Sequence, residues 1–443
     1  MFFAVSFRHD RPVAYLCAIG GGWLLLAALL RCRFLSLGSG VFVACCLLAL
    51  AALSLLLLFR WGKLSSRGVL LCLLPVGLAV FLRCLCLDYT SNDYLVFLSD
   101  WAAFFRENGG WAALRLPKGN YNVPYLYFLA AISYFPVPDL YAIKLFSILF
   151  DVILAWGGMR LVHALTPERI GGPAAAFCVL LLLPTVILNG ALWAQCDSIY
   201  AAFCIHALAS ALERRSAQSV LLVALAFSFK LQTVFLLPLW CALWLAGRIK
   251  FRHLLLFPAV SAAVCLPALL LGKPLGDILG IYLGQTTEYS NYLTLNAPSV
   301  YALLPFEITS NIPAAAHLGI LSAFAAVGVI LLLLFFRRHK ITDQALFLTA
   351  LFFAVGIPFL LPHMHDRYFF LADVLTLCWS CFRPRRIVFT AAVQIASLGA
   401  YYAYLSMHYL FPMAWGALLL LAVLPAVLYF LIRELAAYQS SFP

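Results

Sequence analysis

The feature that most constrains this chain is the recurrence of apolar runs of about 20 residues, the length an α-helix needs to cross a hydrocarbon slab of about 30 Å. Leu16 to Leu30, Val41 to Phe59 and Leu318 to Phe336 are clear examples. Water does not satisfy backbone groups at that depth, so continuous helices are the expected way across. Composition agrees: 65% of the 443 residues are hydrophobic and 10% charged, with a mean hydropathy of +1.00. A water-soluble domain would have too little polar surface to cover such a core. The first apolar run lacks a small-residue cleavage site and a soluble chain after it, so it reads as a retained helix rather than a secretory signal.

The formal net charge of +12 does not describe a nucleic-acid surface. Its basic residues cluster in short turns: Arg60/Lys63/Arg67, Arg214/Arg215, Arg248/Lys250/Arg252, Arg337/Arg338/Lys340 and Arg383/Arg385/Arg386. That is the positive-inside pattern of membrane topology. The 14 cysteines, among them Cys45, Cys46, Cys84 and Cys86, sit mostly in apolar segments and read as small buried hydrophobes.

With the basic turns on the cytoplasmic side, helices are expected near 12–31, 38–60, 68–87, 140–163, 172–190 and 195–212. Two short helices should then meet near Lys230. Further helices are expected near 252–271, 314–336, 342–361, 367–382, 386–407 and 410–432. The fold class is thus all-α, a polytopic bundle of about 14 membrane helices, two of them short. The run 123–136 is too short to span and reads as interfacial. This topology puts Arg31 and Arg33 on the outer side, against the charge rule. It also gathers five polar segments there: Asp88 to Tyr121, Trp193 to Asp197, Lys230 to Gln232, Lys273 to Pro305, and Pro362 to Tyr368.

Each segment has a functional and a plain reading. On an unbroken helix Asp93 and Asp100 would share a face, and a carboxylate at the lip of the bilayer suits a general base; it also suits a solvated loop. Asp197 opens a helix at a membrane edge, where a carboxylate is costly to keep, or it caps that helix. Lys230, beside Gln232 in an apolar stretch, needs an anionic partner. A bound phosphate is favoured over a protein carboxylate, because the residue falls at the turn of two half-length helices. His363, His365, Asp366, Arg367 and Tyr368 concentrate ionisable groups near a helix start, where an anion could dock. His363 and His365 at i, i+2 are also a two-ligand pattern open to a divalent cation such as Mg or Mn. Tyr282, Gln285, Tyr289, Asn291, Tyr292 and Asn296 mix flat rings with amides, which fits sugar recognition or an interfacial aromatic belt. The sequence has neither a Walker-type phosphate loop nor a soluble nucleotide-binding domain. An outward site would then draw on a donor carried by lipid.

Five pieces in order resemble a known group: Asn92-Asp93-Tyr94, Trp193 to Ser198, Phe227 to Gln232, Asn296-Ala297-Pro298 and Pro362 to Tyr368. They are similar to the bacterial relatives of the second mannosyltransferase of GPI-anchor synthesis, within the GT-C superfamily of membrane glycosyltransferases. The likeness runs from residue 85 to 380. The chain as a whole reads as one transmembrane domain over 1–443, with an extra hairpin at 1–66, a GT-C-like catalytic region at 67–382 and a C-terminal hairpin at 383–443. The resemblance implies inverting transfer from a polyprenyl-phosphate sugar to a glycan, lipid or protein acceptor at the outer face of a bacterial cytoplasmic membrane.

By the same resemblance Asp93 would be the base, and Asp197, Lys230, His365 and Arg367 would line the donor pocket. Gln195, Gln232, His363, Asp366 and Tyr368 would join them. Apart from the resemblance, Tyr94, Trp101, Tyr121, Tyr289, Asn291 and Asn296 read as candidates to hold sugar or acceptor. Asn92 stands where a paired acidic motif would, so Asp93 and Asp100 both stay candidates for the base, and metal dependence stays open. A transporter or flippase of lipid-linked sugars and a surface-glycan polymerase or ligase are the rival functions. The first would string polar residues across the membrane or use paired broken helices.

Overall fold

The computed structural model of the protein describes residues 11–168 and 171–437. The tail beyond residue 437, expected to close the chain on the basic side, lies outside the described residues. Helices account for nearly all regular structure. Nine of them, among the described residues, are long and apolar enough to cross a bilayer. In the helix Phe251–Leu270 only 6% of the most apolar window is buried within the chain, and in Ile312–Phe336 only 22%. Water would not tolerate apolar helices turned outward on that scale, whereas lipid would. The chain is a multi-pass membrane protein.

Two details differ from the expected topology. The helix expected over 172–190 is bent by 49°, because Gly171–Leu182 stops at Leu183 and Pro184 opens a second piece that runs to Leu192. Proline lacks the N–H that would continue the ladder and disfavours helical geometry in the residue before it. Asp197–Leu212 and Phe370–Phe382, expected to span, are apolar but short, as are Ser216–Phe229 and Leu231–Leu245, the two short helices expected to meet near Lys230. At 1.5 Å per residue they reach about 20 to 24 Å, less than the hydrocarbon thickness. By length alone, then, the spans among the described residues number nine, or ten with the bent pair.

The chain divides into two compact units. The first holds the described residues up to His206, with Ser228–Lys230 and Ala262–Ile281; the second holds Ala207–Phe227, Leu231–Ser261 and the described residues from Tyr282 on. The helices of the first unit are α1 (Arg11–Cys32), α2 (Gly40–Arg60), α3 (Ser66–Cys86), α4 (Ser99–Glu107), α5 (Val123–Ile132), α6 (Asp139–Leu165), α7 (Gly171–Leu182) and α8 (Pro184–Ile187), followed by α9 (Asp197–Leu212) and α10 (Ser216–Phe229), which both units share. The Ser65 hydroxyl accepts from Gly68 N at 3.3 Å and starts α3, and the Asn122 side chain accepts from Val123 N at 2.8 Å and starts α5. α1 lies against α3 at small residues: a Cβ on Gly77 would stand 2.5 Å from the Gly21 carbonyl oxygen. Glycine at both positions permits that approach.

The short turn after α3 is held from several sides. Asp88 pairs with Arg31 at 2.8 Å and accepts from the Ser36 amide, the Ser36 hydroxyl and the Tyr141 hydroxyl. The buried Lys144 of α6 donates to the carbonyls of Cys86, Leu87 and Tyr89 at 2.8, 3.0 and 2.6 Å. Arg31, awkward by the charge rule, therefore has its charge offset by Asp88.

The second unit packs the helices Asp343–Leu360, Phe370–Phe382, Ile387–Ser406 and Met413–Ala437 around buried Phe347, Phe353 and Trp379. Among its described residues the extended feature is a two-residue parallel pairing of β1 (Thr294–Leu295) with β2 (Met364–His365), in register Thr294 to Met364 and Leu295 to His365.

Candidate functional site

In the first unit, Asp93 follows the clamped Asp88 turn and is half-buried. The Ser91 hydroxyl donates to the Trp193 carbonyl at 2.7 Å, which brings this turn to the Trp193–Asp197 loop. From that loop the Trp193 indole donates to Asp93 Oδ2 at 2.9 Å, and Gln195 Nε2 donates to the same oxygen at 2.5 Å. Gln195 Oε1 accepts from the Tyr121 hydroxyl at 3.1 Å. The Trp101 ring meets Tyr121 edge-on at 5.3 Å, and the Tyr121 ring lies 5.7 Å from the Lys230 ammonium.

The loop can present these donors because of its backbone. Leu188–Leu192 is a π-helical turn, Ala194 adopts φ +66°, and the Gln195 amide returns to the Asn189 carbonyl at 2.8 Å. The Asn189 side chain then holds Asp197, donating to Oδ2 at 2.7 Å and accepting from the Asp197 amide at 3.2 Å. Asp197 Oδ1 receives a short bond from Lys230. Both members of that ion pair are buried, Asp197 at 0% exposure and Lys230 at 5%.

Lys230 sits as expected at the break between α10 and a 3-10 turn over Leu231–Phe235. Within the chain its anionic partner is a protein carboxylate, Asp197, one of the two kinds of partner the sequence left open. The start of α9 and the end of α10 lie together, so the nearest counter-charge comes from the chain itself. Asp197 is correspondingly the first residue of α9, and its carboxylate is engaged by Asn189 and Lys230.

Asp93 and Asp100 take different surroundings. Tyr94–Leu98 is π-helical, with the Ser99 amide reaching the Tyr94 carbonyl. One extra residue in a turn rotates everything after it by about 100°. Asp100 is accordingly exposed and pairs with Lys118 at 2.6 Å, while Asp93 keeps Trp193 and Gln195. Burial, with Asp139 nearby, pushes the Tyr94 hydroxyl above its usual range. Trp101 is 6% exposed, and a Cβ on Gly119 would stand 3.2 Å from its ring.

The second unit contains the remaining residues. His363 has φ +63°, its amide donates to the Leu293 carbonyl at 2.8 Å, and its Nδ1 lies 2.6 Å from the Tyr292 carbonyl. The His365 ring contacts Tyr289 edge-on at 4.6 Å and Tyr368 at 5.1 Å, and Tyr368 meets Phe235 at 5.8 Å. Arg367 lies 3.7 Å from the buried Asp366. Asn296 accepts from the Tyr409 hydroxyl at 2.5 Å. Gln232 is buried at 7% exposure with Oε1 lacking a hydrogen-bond partner, and Asn291 is exposed. Three or more His, Cys, Asp or Glu side chains do not converge anywhere among the described residues. His363 and His365 therefore gain no third ligand of that kind among the described residues.

Sequence reasoning passed over Asn189, Lys118 and Tyr409. Asn189 left a trace, an amide inside an apolar run; Lys118 and Tyr409 left none, because their partners are distant in sequence. No protein-family model matches this chain, and neither does any curated protein.

Proposed function

We propose that the protein is a membrane glycosyltransferase of the GT-C kind, moving a single sugar, mannose or another hexose or pentose, from a polyprenyl-phosphate donor to an acceptor hydroxyl at the extracytoplasmic face. The observation that carries this reading is the half-buried Asp93 carboxylate, fixed through one oxygen by Trp193 and Gln195. A general base must be aimed before it is useful, and two donors on one oxygen aim it. The same loop leads through Asn189 to the Asp197–Lys230 pair. A cation is thereby tied to the element that aims the base.

In the proposed reaction the acceptor hydroxyl gives its proton to Asp93 as its oxygen attacks the anomeric carbon. The bond from that carbon to the phosphate oxygen breaks, and polyprenyl phosphate leaves with the electron pair. A single displacement inverts the anomeric configuration. The ammonium of Lys230 has three N–H donors, and Asp197 takes one of them. Preplaced donors of this kind stabilise charge that develops on a departing oxyanion.

The test is to incubate the purified protein with a panel of polyprenyl-phosphate hexoses and pentoses and an acceptor extract, and to follow donor consumption and a glycosylated product. Transfer of one sugar per turnover, lost in Asp93→Asn, supports the reading. Solute movement across liposomes with no covalent product would replace it with a transporter.

A further inference from the structure

α1 and α3 pack so closely that a Cβ on Gly21 would stand 2.3 Å from the Leu73 carbonyl oxygen. At the far end of the same helix pair Cys32 and Cys84 face each other with their Sγ atoms 3.7 Å apart, at 1% and 0% exposure. Cys84 Sγ also donates to the Ala28 carbonyl at 3.2 Å. Cys32 is the last residue of α1, and Cys84 is two short of the end of α3. The polar cluster of Arg31, Ser36 and Asp88 adjoins them in sequence and joins the same two chain segments. We propose that Cys32 and Cys84 close into a disulfide that ties α1 to α3.

The chemistry is thiol–disulfide exchange with an oxidant of the disulfide class. One cysteine, as thiolate, attacks a sulfur of the oxidant; the oxidant's S–S bond breaks and a mixed disulfide forms. The thiolate of the second cysteine then displaces the oxidant's remaining sulfur. Two protons and two electrons leave the cysteines, and the two halves of the oxidant end as thiols. Bonding requires the sulfurs to come within about 2.05 Å, a short closure shared by two side chains already in contact.

Position decides which cysteines react. Cys72 of α3 has a thiol partner in Cys178 of α7, but it lies twelve residues before Cys84, about 18 Å along the helix. A thiolate there would form in the hydrocarbon, whereas Cys32 and Cys84 sit at helix ends beside charged and hydroxyl groups. The closure does not depend on the proposed activity.

Membranes holding the full-length protein are treated with oxidised glutathione, denatured in an alkylating reagent and digested. Mass spectrometry is expected to find a linked Cys32–Cys84 peptide that dithiothreitol abolishes, with Cys72 and Cys178 recovered alkylated. Cys32→Ser and Cys84→Ser should each remove the linked peptide. Recovery of Cys32 and Cys84 as separately alkylated thiols, or linkage of either to another cysteine, overturns the proposal, and the unmodified protein alone decides between these results.

Discussion

Gln195 Nε2 lies 2.5 Å from Asp93 Oδ2, a contact that spans 102 positions of sequence. The amide can serve Asp93 only as a donor, because its oxygen accepts from Tyr121. Gln195→Glu would set a second carboxylate against Asp93, and a like charge favours the protonated form. Since a base acts deprotonated, the acid limb of the pH–rate profile should move to higher pH. A profile superimposing on that of the unmodified protein would separate Gln195 from the proposed base.

Asp93→Asn is expected to lower transfer by about 10²- to 10⁴-fold, the usual weight of a positioned acid or base. Asp100→Asn should change it little, because Asp100 is exposed and pairs with Lys118. Both rates come from one assay of radiolabelled sugar transfer. The reverse ranking would make Asp100 the base.

Removing one member of the Asp197–Lys230 pair leaves a buried charge uncompensated. Lys230→Met should destabilise the protein by about 3–5 kcal/mol, as breaking buried pairs commonly does. Combining it with Asp197→Asn should recover much of the thermal stability in detergent while transfer stays low. Recovery of activity together with stability would show the pair to be structural only.

Asp88 supplies a pH dependence of its own. Burial works to raise its carboxyl, but bonds from Tyr141, Ser36 and Arg31 outweigh burial and hold it at about 2, below the ordinary 3.8. The folded state thus binds this proton more weakly than the unfolded one. The stabilisation is present in full above pH 3.8 and is lost as pH falls toward 2. Thermal unfolding across the acid range should show that slope, and Asp88→Asn should flatten it.

Length and hydropathy alone made the membrane class legible, because a segment that must cross lipid has to satisfy its own backbone and show an apolar surface. The break at Lys230 was legible for the same reason: a lysine inside an apolar run has to sit where helices end or find a partner. Asp93 could be singled out as a carboxylate just beyond a membrane helix, but not separated from Asp100, since seven residues on an ideal helix return to the same face.

Tertiary structure decided what those residues do to one another. The π turn at Tyr94–Leu98 sends Asp93 and Asp100 to different partners, and the φ of +66° at Ala194 lies in the loop that delivers Trp193 and Gln195 to Asp93. Asp197 became the counter-ion of Lys230 because two helix ends meet. Hydropathy reports the solvent each segment must face, a property of neighbouring residues along the chain. A hydrogen bond or ion pair depends on ångström-scale approach between distant segments, which only the packed helices determine.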